Sequence, residues 1–182
     1  IDLQEAISVW QQPLEKIFPT RAEEMAEIPK QYLYDRVAAI KSSTVTAKPR
    51  VFIPVFPGTN CEYDTARVFE KAGAVTETFV VGNLRPKDIE QSIAQMVEKI
   101  DNSQIIMIPG GFSAGDEPDG SGKFIATAFR NPYVKDAVMR LLKQRDGLML
   151  GICNGFQALI KLGLVPFGEI RDVDGNCPTL TF

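Results

Sequence analysis

In the stretch Gly147-Leu148-Met149-Leu150-Gly151-Ile152-Cys153-Asn154-Gly155-Phe156-Gln157, a thiol stands between a short apolar run and a helical pattern. Leu148 to Ile152 reads as a buried strand, too short for a helix and bounded by glycine. Phe156, Leu159, Ile160 and Leu162 then recur at helical spacing, so the chain turns from strand to helix around Cys153. Gly151 and Gly155 flank the cysteine at i−2 and i+2, where a Cβ would crowd a tight corner. Such an elbow lifts a sulfur out of a sheet and sets it at a helix N-terminus. Unpaired N–H groups there favour a thiolate and can hold a developing oxyanion. The chemistry open to this thiol is nucleophilic attack on a carbonyl carbon, and the competing reading is a core cysteine in an ordinary turn. There is no histidine in the 182 residues, so the usual general base of a cysteine nucleophile is missing from them.

A sheet has to present that corner. From Arg50 onward strands and helices alternate. Val51 to Phe56 reads as an apolar strand, with Pro54 awkward inside it. Asn60 is placed to cap a helix running to Ala72, with Gly73 as its C′ residue. Val75 to Val81 and Gln104 to Ile108 read as further strands. Pro86 opens a helix between them, with Ile89, Ile93, Val97 and Ile100 as its buried stripe. Asn131 or Pro132 starts another helix, with Val134, Val138, Leu141 and Leu142 facing inward. The expected fold class is α/β, a doubly wound, mostly parallel sheet with helices on both faces.

Ahead of it, Asp2 and Glu5 have the form of a helix N-cap and its partner, and Leu3, Ile7, Trp10, Leu14 and Ile17 mark one face, interrupted at Pro13. A second helix is expected over Gln31 to Lys41, followed by a small, polar linker from Ser42 to Pro49. Residues 1–48 therefore read as a short helical segment with too little apolar surface to fold alone, and 49–182 as the main domain. The start at Ile1 and the strand-like Thr179-Leu180-Thr181-Phe182 at the end read as an incomplete chain, truncated at its C-terminus.

In parallel sheets ligands gather at the carboxyl ends of the strands. Two loops join the elbow there: Pro57-Gly58-Thr59-Asn60-Cys61-Glu62, and the run from Pro109 to Lys123, which holds five glycines. The longer loop is a poor phosphate cradle. Phe124 follows Gly122-Lys123 where a magnesium-binding Ser or Thr belongs, and Asp116, Glu117 and Asp119 would repel phosphate. Those three carboxylates match no calcium loop, and a solvated acidic loop accounts for them; no metal site is expected. Gly110 and Gly111 instead let backbone N–H groups approach a ligand, one oxyanion donor beside a second from the Asn154 N–H. Cys61 and Cys177 have no glycine elbow.

Composition narrows the class. A net charge of −3 gives no reason to expect nucleic acid or an anionic membrane as partner. No apolar run reaches the length of a membrane span, and no signal peptide is legible at the start. Three scattered cysteines make no disulfide framework, and a reducing, cytoplasmic setting suits a free thiol.

Phe56-Pro57-Gly58-Thr59-Asn60-Cys61-Glu62, Pro109-Gly110-Gly111-Phe112-Ser113 with Gly115-Asp116, and Gly151-Ile152-Cys153-Asn154-Gly155-Phe156-Gln157 together resemble the class I glutamine amidotransferase domain of phosphoribosylformylglycinamidine synthases. The stretch Gly115 to Phe124 looks like the long, single-chain form, and Trp10, Pro13-Leu14 and Phe18-Pro19-Thr20-Arg21 resemble the segment entering from a synthetase part. The resemblance implies a flavodoxin-like fold and a ligase of purine biosynthesis. By it, Cys153 attacks the side-chain amide of glutamine, Gly111 and Asn154 form the oxyanion hole, and Gln157, Gly110 and Phe112 bind the substrate. It implies no cofactor in this domain, with ATP and magnesium serving the synthetase part of the same chain. The family's His and Glu partners would lie beyond Phe182, so these residues assayed alone are expected to be inactive. The elbow by itself also suits a DJ-1/PfpI-like thiol sensor or hydrolase, and a scaffold with a vestigial elbow is the non-catalytic alternative.

Overall fold

The computed structural model describes residues 2–17, 46–113 and 122–178. The chain divides into two units, residues 1–41 and 42–182. In the first, helix α1 (Leu3–Gln11) starts at Asp2, whose Oδ1 accepts from the N–H groups of Gln4 and Glu5 at 2.8 and 3.0 Å. Those bonds satisfy donors that the first helical turn leaves free. Helical hydrogen bonding changes at Pro13, which has no N–H, and a 3-10 turn (Gln12–Leu14) follows. The expected helix at Gln31 to Lys41 lies outside the described residues.

Among the described residues the second unit is built on the strands β1 (Arg50–Val55), β2 (Val75–Val80), β3 (Ile105–Ile108) and β4 (Leu148–Gly151). They are parallel throughout, in the order β2-β1-β3-β4. Helix α2 (Glu62–Lys71) returns the chain from β1 to β2, and α3 (Pro86–Asp101) carries it from β2 to β3. Helices α4 (Lys123–Arg130) and α5 (Pro132–Gln144) precede β4, and α6 (Asn154–Leu162) and the short α7 (Leu164–Phe167) follow it.

The two sheet faces are covered unequally. Phe52, Ile106 and Ile108 meet α3, α4, α5 and α6 in the main core, which includes the fully buried Met96, Phe129 and Leu141. Each such side chain contributes about 1.5–3 kcal/mol relative to remaining exposed. On the opposite face Val51, Ile53 and Met107 pack against Ala66 and Phe69 of α2. Alternation along each parallel strand thus feeds two cores, and helices lie on both faces as expected.

Pro54 fits the sheet because of where its missing N–H would point. Gln104 N–H donates to Arg50 O, and Val81 N–H to Val55 O, so even-numbered β1 residues face β3 and odd-numbered ones face β2. The β1–β3 pairing ends at Phe52↔Ile106, ahead of the proline. The β1–β2 pairing runs on through Pro54↔Phe79 to Val55↔Val80. The proline shortens one ladder and leaves the other whole.

Four expectations need correction. The residue before helix α2 is Cys61 rather than Asn60, and it makes no side-chain capping bond; Cys61 adopts a left-handed backbone (φ 68°) and the Asn60 carboxamide accepts from the Cys61 N–H. Ile89 is exposed, since α3 turns Ser92 and Met96 inward together with the expected Ile100. Helix α4 has no counterpart in the sequence reading, although Ile125 and Phe129 are buried four residues apart. Finally, β4 is not a buried strand: Leu148, Leu150 and Ile152 are 64%, 46% and 53% exposed. Among the described residues, α2 covers β1 and β2 on that face and no helix reaches β4 there.

A Cβ on Gly155 would stand 2.2 Å from the Ile108 carbonyl oxygen, whereas one on Gly175 would meet nothing within 4 Å. In the complete protein Gly155→Ala is therefore expected to cost about 3 kcal/mol, as overpacking of rigid backbone does. Gly175→Ala should stay within about 0.5 kcal/mol. Thermal denaturation of the two variants side by side is the check, and equal midpoints would refute the close approach.

Candidate active site

Cys153 lies between the strand β4 and the first residue of α6, with φ 52° and ψ −114°. A residue with a Cβ is strained there by about 1–3 kcal/mol, so the surroundings must impose the conformation. They do so through backbone packed on backbone. A Cβ on Gly151 would meet the Gly155 carbonyl at 2.6 Å, and Gly155 is in turn pressed against Ile108. The turn is closed by Gly155 N–H to Ile152 O at 2.9 Å and Gln157 N–H to Cys153 O at 3.0 Å. The result is a free, exposed thiol at the carboxyl edge of the sheet.

The glycine loop after β3 reaches the same point. Gly110 lies against the thiol: a Cβ placed on it would be 3.3 Å from Cys153 Cβ and 3.9 Å from Sγ. The loop is held from its other side by the loop after β1, through Asn60 N–H to Gly110 O at 2.9 Å and Phe112 N–H to Gly58 O at 2.8 Å. Between these bonds Gly111 takes φ 130°, and a Cβ on it would fall 2.2 Å from Gly58 O, so only glycine fits. The backbone N–H groups of Gly111 and Asn154 have no hydrogen-bond partner among the described residues.

Behind the thiol, the Asn154 side chain is buried and joins loop to elbow. Its Oδ1 accepts from Ser113 N–H at 3.0 Å, and its Nδ2 donates to Gln157 Oε1 at 3.0 Å. Ser113 is fully buried and its Oγ has no partner among the described residues. Gly122, which opens α4, packs on the Asn154 backbone, since a Cβ there would lie 2.8 Å from Asn154 O. Phe112 projects from the glycine loop and is exposed.

The structure thus brings Cys153, Gly110 and the Asn154–Gln157 pair together, with Gly111 and Phe112 on the adjoining loop. Sequence reasoning counts Asn154 only for its backbone N–H and misses its carboxamide and Ser113. A lone amide after Cys153 carries no spacing that marks it as buried, and Ser113 stands in a loop without period. Cys61 is an exposed free thiol at the start of α2, and Cys177 lies in the loop after α7 with its Sγ 3.6 Å from Asp174 Oδ1. Neither sits on an elbow. Asp116, Glu117 and Asp119 lie outside the described residues, among which no cluster of His, Cys, Asp or Glu could hold a metal. No helix among the described residues is long and apolar enough to cross a membrane.

A strained thiol at a strand-to-helix elbow, beside a glycine loop on a parallel sheet, is compatible with an acyl-transfer domain, and residues 48–182 match a family of that class as a whole. The chain belongs to the CobB/CobQ-like glutamine amidotransferase domain family. Among individual relatives, it is 36% identical over 135 residues to phosphoribosylformylglycinamidine synthase subunit PurQ of Dehalococcoides mccartyi, covering 74% of this chain and 47% of that protein. It is 40% identical over 116 residues to the subunit of the same name from Methanococcus maripaludis, covering 64% of this chain and 39% of the relative. The chain thus spans about half the length, or less, of these relatives. A solved structure titled PurLQS from Thermotoga maritima matches at 28% identity with a TM-score of 0.45, over 64% of this chain and 45% of that one.

Replacing Gly110 by Val should cover the thiol, since its Cβ falls 3.3 Å from Cys153 Cβ. Alkylation of Cys153 by iodoacetamide, followed by peptide mass spectrometry, is expected to slow about tenfold, equivalent to roughly 1.4 kcal/mol on the barrier. Cys61 in the same sample serves as the internal control, and an unchanged Cys153 rate would place Gly110 away from the sulfur.

Proposed function

We propose that this chain carries the nucleophile of the glutaminase of a phosphoribosylformylglycinamidine synthase. The observation that carries the reading is the exposed Cys153 on its strained elbow, with Gly110 packed against the thiol. The Cys153 thiolate attacks the side-chain carbonyl carbon of glutamine, and the oxygen takes the charge. The unpartnered N–H groups of Gly111 and Asn154 are the donors for that oxyanion, and each such donor typically contributes about 2.7–4 kcal/mol in the transition state. The C–N bond then breaks, ammonia leaves with an added proton, and water hydrolyses the thioester to glutamate. Gln157, on the same helix face as Cys153, holds the substrate together with Gly110 and Phe112.

Ammonia needs a proton donor as it leaves, and these residues contain no histidine. By the family resemblance, that donor is a histidine with its carboxylate partner elsewhere in the complete protein. The ammonia passes to a synthetase part that aminates formylglycinamide ribonucleotide, using ATP and magnesium bound there. Residues 1–48 lead in from that part in a long, single chain. The relatives named as synthase subunits support the pathway.

In the complete protein, Cys153→Ala should abolish glutamine-dependent product formation while ammonia-dependent formation continues. Cys61→Ala should leave both intact. Residues 1–182 alone should release no ammonia from glutamine. Coupled assays of glutamate and product read all three. Glutamine-dependent turnover in Cys153→Ala would overturn the mechanism, and peroxide-sensitive Cys153 that glutamine fails to protect from alkylation would favour a thiol sensor.

A further inference from the structure

We infer that Asn154 is a positioning residue that fixes which end of the Gln157 carboxamide faces the ligand, and so makes Gln157 a hydrogen-bond donor. This rests on the glutaminase reading above and assigns a role to the side chain of Asn154, apart from its backbone N–H.

The orientation follows from one bond whose direction chemistry leaves no choice about. Ser113 N–H can only donate, so the Asn154 atom 3.0 Å away must be Oδ1. The Asn154 amino group is then on the opposite side, directed at Gln157. The Gln157 atom 3.0 Å from it must accept, and is Oε1. Gln157 is left with Nε2, which has no hydrogen-bond partner among the described residues. A backbone N–H in the glycine loop thus sets, through two amides, the polarity of a side chain on the nucleophile's helix.

Burial makes the setting firm. Asn154 is 2% exposed and Ser113 fully buried, so water does not replace the bond between them, and reversing the Asn154 amide would set its amino group against the Ser113 N–H. The same residue meets both ends of the segment 114–121, through Ser113 on one side and Gly122 on the other. The donor that results suits a ligand presenting an acceptor, such as the carboxylate or amide oxygen of glutamine, and disfavours one presenting only N–H.

The test is steady-state glutaminase kinetics of the complete protein and its variants at pH 8, with thermal midpoints as a folding control. Asn154→Asp keeps an acceptor for Ser113 N–H, but as a carboxylate it cannot donate to Gln157. The Gln157 amide then reverses and offers oxygen to the ligand, and KM for glutamine should rise about tenfold or more with little change in kcat. Gln157→Ala should raise KM similarly, and the Asn154→Asp/Gln157→Ala double variant should be no worse than Gln157→Ala alone. Gln157→Glu, which still accepts from Asn154 but has no donor to present, should show the same rise, and it keeps the test standing should Asn154→Asp fail to fold. An unchanged KM in Asn154→Asp or in Gln157→Glu overturns the proposal. So does an Asn154→Asp effect that persists in full beside Gln157→Ala, which a tether or a bare charge effect would give. A wild-type protein that releases no ammonia from glutamine overturns the glutaminase reading and this proposal with it; a wild type that does, with unaltered KM in the variants, overturns this proposal alone.

Discussion

The contact between Gly155 and the Ile108 carbonyl is what the rest of the site depends on. It brings the first turn of α6 onto the end of β3 with no side chain between them. Only at that distance can the chain leave β4 and enter α6 through so tight a corner, and Cys153 is forced to positive φ. Strain at Cys153 is thus a consequence of helix–sheet packing, offset by the core on which β3 and α6 both rest. The same closeness keeps the thiol above the strand ends, exposed to a ligand.

Topology then decides what surrounds the thiol. The chain runs from β1 outward to β2 on one side, and from β3 to β4 on the other, so the loops after β1 and β3 diverge at their shared boundary. Parallel sheets open a crevice at such a point. The crevice is bridged by the bonds from Asn60 to Gly110 and from Phe112 to Gly58, which hold the glycine loop in reach of Cys153. Asn154 ties that loop from behind. The site is therefore braced from two strands that are not neighbours of the elbow in sequence.

Much of this is legible in the residues themselves. The elbow, its two glycines and the strand-helix alternation follow from local spacing, since a backbone corner and an apolar period are properties of a few consecutive residues. What misleads are inferences about surroundings. Leu148, Leu150 and Ile152 are apolar as a buried strand should be, yet their exposure depends on which helix lies over β4. Asn60 has the chemistry of a cap, but the bonds of the glycine loop turn the chain one residue later.

The amino-acid order alone determined that a thiol stands at a glycine-flanked corner, that parallel strands feed it, and that these 182 residues hold no histidine, because each is a matter of residue type and spacing. Tertiary structure alone decided that Gly110 touches the thiol and that the Asn154 amide connects Ser113 to Gln157. Gly110 and Ser113 belong to a loop far from the elbow along the chain, and only the folded sheet sets their distance from it.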